Sequence, residues 1–458
     1  MKITVLSGSP KGEYSITLQY LKVIEKTNPN IVFDIYNVGE KIALIEKNGA
    51  EFDNIIKSVG ESSGVIWVFP VYHFTVPAQL MRFIELVSEK KCESVFAGKY
   101  SASIITSIHF FDTLAEDYIR GVSEDLEMKY LGGFLAEMND IKKPEIQKKL
   151  VNFGKILAEN IENNKIVSRV YGKSDKNKIK YEPENIQDIT KQGIDRIILI
   201  TDSDGKNANL DNMIDVYVKT ISCEVEVINL NNIETKGGCL GCCSCAFDGE
   251  CVYKDQMSEF LKRKYVEADA IVIASEIRAR YFGSKIKRMY DRSFMYGHRP
   301  ILSGKKILYL ISGNLSENPV VKNEIDARSA VGETVLIDVI TDEFESGEQL
   351  TRHIEQAGAE LIKSIEKNEN TVPNFYQVAG QKIFRDFIYK MKGIFVEDHK
   401  YYKKINYYDF PQKDIKTRAG NMILSLLMKS KKVRDEFKKR TKYEMVKGIK
   451  KETDKIEL

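Results

Sequence analysis

No long apolar run opens this chain. MKITVLSGSP carries one lysine and a hydrophobic stretch that breaks at Gly8, too short for a signal peptide or a membrane span. A cytoplasmic protein without a transmembrane segment is the expectation. No G-x-G-x-x-G turn marks a separate dinucleotide site, no low-complexity tract stands out, and no nucleic-acid-binding motif accompanies the basic residues, which excludes nucleic acid as a partner. Cysteine is scarce as well, with seven residues in 458, but five of them crowd into GGCLGCCSCAFDGEC at 237–251. Cys92 and Cys223 read as ordinary buried thiols. In a reducing compartment such a crowd points to metal ligands or redox thiols rather than disulfides.

What is present suits a globular protein of two or three domains, because 43% hydrophobic and 29% charged residues leave ample material for packed cores. The net charge of +3 is unevenly spread. From Asn374 onward stand 22 Lys and Arg against 11 Asp and Glu, a balance of +11, so residues 1–373 carry −8. A basic segment follows an acidic body.

The body is written twice. KITVLSGSP (2–10) and RIILITDSD (196–204) are apolar β-type runs ending in a turn, and SGVIWVFPVYHF (63–74) parallels ADAIVIASEIRA (268–279). QLMRFIELV (79–87) parallels KIKRMYDRS (285–293), and GKYSASIITS (98–107) parallels GKKILYLISG (304–313). The first pair aligns at an offset of 194 and the later ones at 206, so the second copy has gained twelve residues, in the interval that holds the cysteines. Strand and helix alternate, which calls for an α/β fold with a doubly wound parallel sheet. Strands are expected near 2–7, 31–36, 64–69, 99–106 and 130–136, then near 196–201, 223–229, 269–274, 305–312 and 334–341. Closing helices are expected near 144–163 and 346–367. Five strands per copy suit the flavodoxin-like order, with the ligand at the switch point beside the first strand. The expected domains are 1–164, a polar linker at 165–190, 191–373, and a basic, mostly helical extension at 374–458.

In copy one the first strand runs into SGSPKGEYSIT. Gly8 allows a sharp turn, and Ser9, Ser15 and Thr17 offer hydroxyls and main-chain N–H groups at a helix start, which can hold a phosphate; Lys11 can add a charge. FPVYHFTVP after the third strand and TSIHFF (106–111) after the fourth come to the same end of the sheet. Copy two departs from this pattern: Asp202 and Asp204 stand where Gly8 and Pro10 do, and Glu276 replaces Pro70. Carboxylates facing a phosphate are unfavourable, so copy two is not expected to bind in the same way.

The first copy resembles the NADPH-dependent FMN reductase and NAD(P)H-quinone reductase superfamily of flavodoxin-like proteins, over most of residues 1–160. The resemblance implies that Ser9, Pro10, Lys11, Ser15 and Thr17 hold the FMN phosphate. It implies that Pro70, Val71, Tyr72, His73 and Phe74 line the isoalloxazine, with Thr106, Ser107 and His109 on its far side. Tyr72 and His109 are the candidate catalytic residues, and NAD(P)H, if used, stacks on the flavin itself.

Cys239-x2-Cys242-x2-Cys245-x5-Cys251 sets four thiols within thirteen residues, with x2 spacings that suit a cubane cluster. Zinc and a metal-free thiol cluster stay open beside it. The loop, with VYKDQM (252–257) and KRMYDR (287–292), resembles that of the iron–sulfur flavoproteins, which hold FMN and a [4Fe–4S] cluster. In that family cluster and flavin of different subunits meet across a dimer interface. A covalent pseudo-dimer, each copy keeping one cofactor, is therefore expected; a further homodimer stays open. Arg278, Arg280 and Tyr281 could face the partner copy, the arginines holding phosphate or reduced flavin, or form a salt-bridged loop. The extension is amphipathic and basic, suited to packing on the body or to an acidic redox partner such as ferredoxin. The expected activity is electron transfer between NAD(P)H or ferredoxin, FMN, the cluster and a small acceptor. The alternatives are a cluster-free FMN or quinone reductase and a redox sensor or scaffold.

Overall fold

The computed structural model describes residues 1–172, 180–183, 186, 188–344 and 346–453; parts of the expected linker fall outside them. Copy one runs β1 (Lys2–Ser7), α1 (Ile16–Thr27), β2 (Val32–Tyr36), α2 (Val38–Lys47), α3 (Gly49–Glu61), β3 (Gly64–Pro70) and α4 (Ala78–Glu89). It closes with β4 (Tyr100–Ser107), α5 (Asp112–Asp125), β5 (Lys129–Glu137) and α6 (Pro144–Glu162). Copy two runs β6 (Gly193–Thr201), α7 (Ala208–Thr220), β7 (Cys223–Asn229), α8 (Cys245–Asp248), α9 (Gln256–Phe260) and β8 (Ala270–Arg278). It continues with β9 (Tyr281–Phe282), α10 (Ser284–Arg292), β10 (Lys306–Ser312), α11 (Pro319–Val331), β11 (Val335–Thr341) and α12 (Gly347–Glu366). The extension holds α13 (Phe375–Lys390), α14 (Val396–Lys404), α15 (Ile415–Leu427) and α16 (Lys431–Thr453).

The strand orders are β2-β1-β3-β4-β5 and, in the same sense, β7-β6-β8-β10-β11, all parallel. This is the flavodoxin-like order, twice. The central strands are buried along their lengths, as sheets covered by helices on both faces require. Copy two adds one strand to the expected five: β9 turns back antiparallel on β8, pairing Ile277 with Phe282 and Arg278 with Tyr281. Its turn residues Ala279 and Arg280 have φ of 43° and 65°, as a tight two-residue hairpin demands. The equivalent residues of copy one, His73 and Phe74, have φ of 38° and 74°, between the bridged pair Tyr72 and Thr75. The same strained turn persists in both copies although every residue in it differs.

One hydrophobic cluster runs through both copies, joining Leu6, Trp67 and Phe83 to Ile200, Ile273 and Met289. The two sheets therefore belong to one compact unit, Met1–Tyr401, which also takes in α13; Tyr402–Leu458 form a second unit. At the seam α4 meets α10, its counterpart at the offset of 206. Glu85 accepts from the Ser284 N–H at 2.6 Å and from its hydroxyl at 2.5 Å, while Asp291 accepts from the Ala78 N–H at 2.7 Å. Ala78 and Ser284 are equivalent residues, as are Glu85 and Asp291, so each helix caps the start of the other. The hairpin tips cross too. Arg280 binds Asp125 on α5 in bidentate fashion at 2.6 and 2.7 Å, and Phe74 lies 5.0 Å from the Arg328 guanidinium on α11. Arg280 is thus an interface residue rather than a phosphate holder. Arg278 lies 3.5 Å from Glu276, and Tyr281 is buried against Tyr118.

The switch point of copy two is filled by its own side chains. Asp342 accepts from the Gly313 N–H at 2.8 Å and from the Ser312 hydroxyl at 2.6 Å, and Asn207 donates to Ser312. Asp202 is buried and accepts from Ser275 at 2.8 Å; burial pushes its carboxyl up to about 6.

Asp291 also neutralises Lys287, which is fully buried and donates to the Tyr72 carbonyl at 2.7 Å. Asp291→Ala strands that ammonium and is expected to cost about 3–5 kcal/mol in urea unfolding. Glu85→Ala removes hydrogen bonds to a charged acceptor and is expected to cost about 1.5–3 kcal/mol. Folded Asp202 keeps a proton that the unfolded chain loses near its usual value, so stability falls as pH rises from about 4 to about 6. Asp202→Asn keeps the Ser275 partner without that penalty. It is expected to be more stable than the parent at pH 7.5, by at most about 3 kcal/mol, and equal to it at pH 4, both by urea titration.

Candidate functional site

Copy one's cradle is built at the turn from β1 into α1. The Gly8 N–H donates to the Val68 carbonyl at 2.8 Å, and a Cβ there would stand 2.6 Å from Leu80, so only glycine lets the turn lie this close to α4. Ser15 caps α1, its hydroxyl accepting from the Leu18 N–H, and the Thr17 hydroxyl meets that of Thr106 at 2.6 Å. Ser9, Lys11, Ser15 and Thr17 line one cavity of about 420 Å³ with Pro70–Phe74 and Thr106–Ser107. Hydroxyls and a helix start beside aromatic walls fit FMN, a phosphate joined to a planar ring system. Pro10 is buried in the turn and His109 is half-exposed; neither is among the lining residues. The His109 main-chain N–H donates to the Ser107 hydroxyl at 2.7 Å, while its Nδ1 lies 2.8 Å from Asp112, so the ring turns to that carboxylate and is not among the lining groups.

The cysteine loop closes the same cavity from copy two. Cys239, Cys243 and Cys245 line it, with Gly241 between. Gln79 on α4 donates to the Cys239 carbonyl at 3.0 Å, so copy one holds the loop. Arg292 holds it from within copy two, donating to the Gly237 carbonyl at 3.0 Å and to Asp255 at 2.8 and 2.9 Å. Asp255 is kept below the usual carboxylate range by those hydrogen bonds and charges, against the opposing effect of burial. Gly241 has φ of 60°, and a Cβ there would fall 2.1 Å from the Tyr72 hydroxyl. Loop and cavity wall touch at that point.

Burial pushes the Cys239 thiol up, and burial together with the Cys251, Cys242 and Cys243 thiols pushes Cys245 up to about 12. These two thiols are held in their protonated form at neutral pH. Cys242 is exposed and Cys251 partly buried. Four thiols are the right donors for iron, yet among the described residues no three converge as a ready-made ligand set. Cys243, outside the expected ligand set, faces the cavity; Cys92, expected to be buried, is only partly so.

The walls hold two titratable groups in their neutral forms. Burial pushes the Tyr72 hydroxyl well up, aided by nearby cysteines and Asp291. Burial, with Arg328, Lys287 and His298 close by, pushes the His73 imidazole well down. His73 packs on Phe294 at 4.0 Å between ring centres. Phe294, His298 and Arg328 from copy two and Phe384, Phe387 and Phe395 from the extension complete the lining. No local sequence signal marks them, since packing alone brings them here.

A family model for NADPH-dependent FMN reductases matches residues 1–134 and again 196–326. An iron–sulfur flavoprotein of Archaeoglobus fulgidus is 28% identical over 215 residues, 45% of this chain and 96% of its own length. FerB, a flavoenzyme NAD(P)H:(acceptor) oxidoreductase from Paracoccus denitrificans, is 17% identical with a TM-score of 0.29, over 35% of this chain and 97% of that one. The apo form of an NADH:FMN oxidoreductase, EMOB, is 16% identical with a TM-score of 0.30, over 35% and 89%. With one family match in each copy, of 134 and 131 residues among 458, the chain belongs to the NADPH-dependent FMN reductase family and carries its fold twice.

Proposed function

We propose that the chain is an FMN-dependent NAD(P)H oxidoreductase of the iron–sulfur flavoprotein kind, with the flavin in copy one and a [4Fe–4S] cluster on the cysteines of copy two. One observation carries this reading: the Ser9–Thr17 cradle, Tyr72 and three of the cysteines line a single cavity. FMN, when bound, takes electrons in pairs and releases them singly, and a cluster carries them one at a time. Ser9, Ser15 and Thr17, with Lys11, would hold the phosphate; Pro70–Phe74 would hold the ring. Cys239, Cys242, Cys245 and Cys251 would hold the iron, with Arg292 fixing the loop. Neutral His73 and Tyr72 can offer hydrogen bonds without adding charge beside the ring. NAD(P)H would stack on the flavin, and an acidic carrier such as ferredoxin would suit the basic extension. A second reading, an FMN or quinone reductase with metal-free cysteines, is favoured by the thiols' lack of convergence.

Anaerobic purification, with FMN, iron and sulfide counted per chain, tests this. About one FMN with about four iron and four sulfide is the expected result. FMN without iron after reconstitution would give the second reading, and neither cofactor would overturn both. Gly241→Ala drives a methyl into the Tyr72 hydroxyl. It is expected to weaken FMN binding about tenfold in a fluorescence titration, as overpacking of a fitted contact does.

A further inference from the structure

We infer that the cavity continues past the flavin walls into copy two as a binding chamber for a planar aromatic monocarboxylate, recognised by Arg328. As a substrate site the chamber rests on the flavin reading; as a binding site it does not.

Beyond Phe74 the lining passes to the inner face of copy two's sheet, Ile271 and Ile273 on β8 with Ile307 and Tyr309 on β10. Tyr265, at the end of a π-helical turn over Leu261–Tyr265, and Tyr290 on α10 add further aromatic surface. The opposite wall comes from the extension. Phe384 packs 4.4 Å from Phe110 and 4.7 Å from His298, and Phe387 packs 5.1 Å from Phe395. Aromatic and aliphatic walls of this kind take a flat apolar ligand, with a few polar groups setting its orientation.

Arg328 is the charged group placed to do so. Its guanidinium lies 3.6 Å over the Tyr290 ring and 5.0 Å from Phe74, which fixes its plane at the threshold between flavin walls and chamber. Nε and Nη2 donate to one oxygen of Glu324; Nη1 makes no hydrogen bond with a described residue, and the side chain keeps 17% of its surface accessible. The buried Tyr290 hydroxyl beside it lacks an aligned partner. Asp291 is matched by Lys287 and Asp398 by Arg299 and His298, while Glu324 gives one oxygen to Arg328 and keeps its other oxygen buried without an aligned partner. A carboxylate finds in Arg328 a held guanidinium in an apolar setting, where charge-assisted bonds are strong. Arg328 and the extension's phenylalanines lie outside the residues that match the family, whereas the β8 and β10 wall lies within them.

The test is calorimetric titration of the full chain, FMN-free and FMN-loaded, with 2-naphthoate and its neutral counterpart 2-naphthamide, alongside a separate FMN titration. Naphthoate is expected to bind at least about tenfold tighter than naphthamide. Arg328→Gln combined with Glu324→Gln, which leaves no stranded charge, is expected to bring the two probes within about twofold. Phe387→Ala is expected to weaken both probes alike. Equal binding of the probes to the parent chain, no binding of either, or a folded double variant that keeps the preference would overturn the chamber. The parent comparison needs no variant, so a misfolded one leaves the test standing. Carboxylate preference without FMN binding would sink the flavin reading and spare the chamber; FMN binding without the preference would do the reverse.

Discussion

A carboxylate from each copy accepts a hydrogen bond from the first turn of the other copy's helix, and the site depends on that exchange. Glu85 holds the start of α10 and Asp291 holds the start of α4. A helix start carries unpaired N–H groups and a partial positive charge, so burying it requires an acceptor at that place. Here each helix supplies the other's acceptor, which fixes translation along the seam as well as contact. With α4 and α10 locked, Gln79 reaches the cysteine loop and Lys287 reaches the Tyr72 carbonyl. The cavity is a consequence of this register.

The seam is isologous in origin and no longer so in content. In a dimer of identical chains each change at such an interface occurs twice. A covalent pair escapes that limit. The hairpin tips show it: the same positive-φ turn presents Phe74 to copy two and Arg280 to copy one. Copy one keeps the cradle, whereas the matching place in copy two is filled by Asp342 and Asn207. The five clustered cysteines sit only in copy two. Two half-specialised copies thus face one cavity, where two equal ones would face two.

Much of this was legible in the chain itself. Apolar runs of five to nine residues gave the strands close to where they lie, and the constant offset gave the duplication. SGSP…S-I-T and FPVYHF gave the cradle and walls, because those pieces are short, contiguous and carried by single turns. His109 was harder, since adjacency to Thr106 and Ser107 in sequence does not decide which way a side chain leaves a loop; a left-handed φ of 59° and the Asp112 carboxylate turn it aside. For Arg280 a phosphate and a salt bridge both stayed open, because its partner, Asp125, lies 155 residues away. The expected boundary at 373 reflects a change in charge, while the compact unit runs on to Tyr401 and α13 packs on α11.

The amino-acid sequence by itself determined the strand and helix order, the doubling, the hydroxyl-lined turn from β1 into α1 and the five thiols, since each is written in local periodicity or in residues a few positions apart. The tertiary structure alone decided that the cysteine loop lies against Tyr72, that Arg328 stands over Phe74, and that phenylalanines from the extension close the far side of the cavity. Those relations join residues far apart along the chain. They exist only once the two apolar sheets and their helices have found a common packing, and no stretch of sequence records which distant side chain will fill the space left beside it.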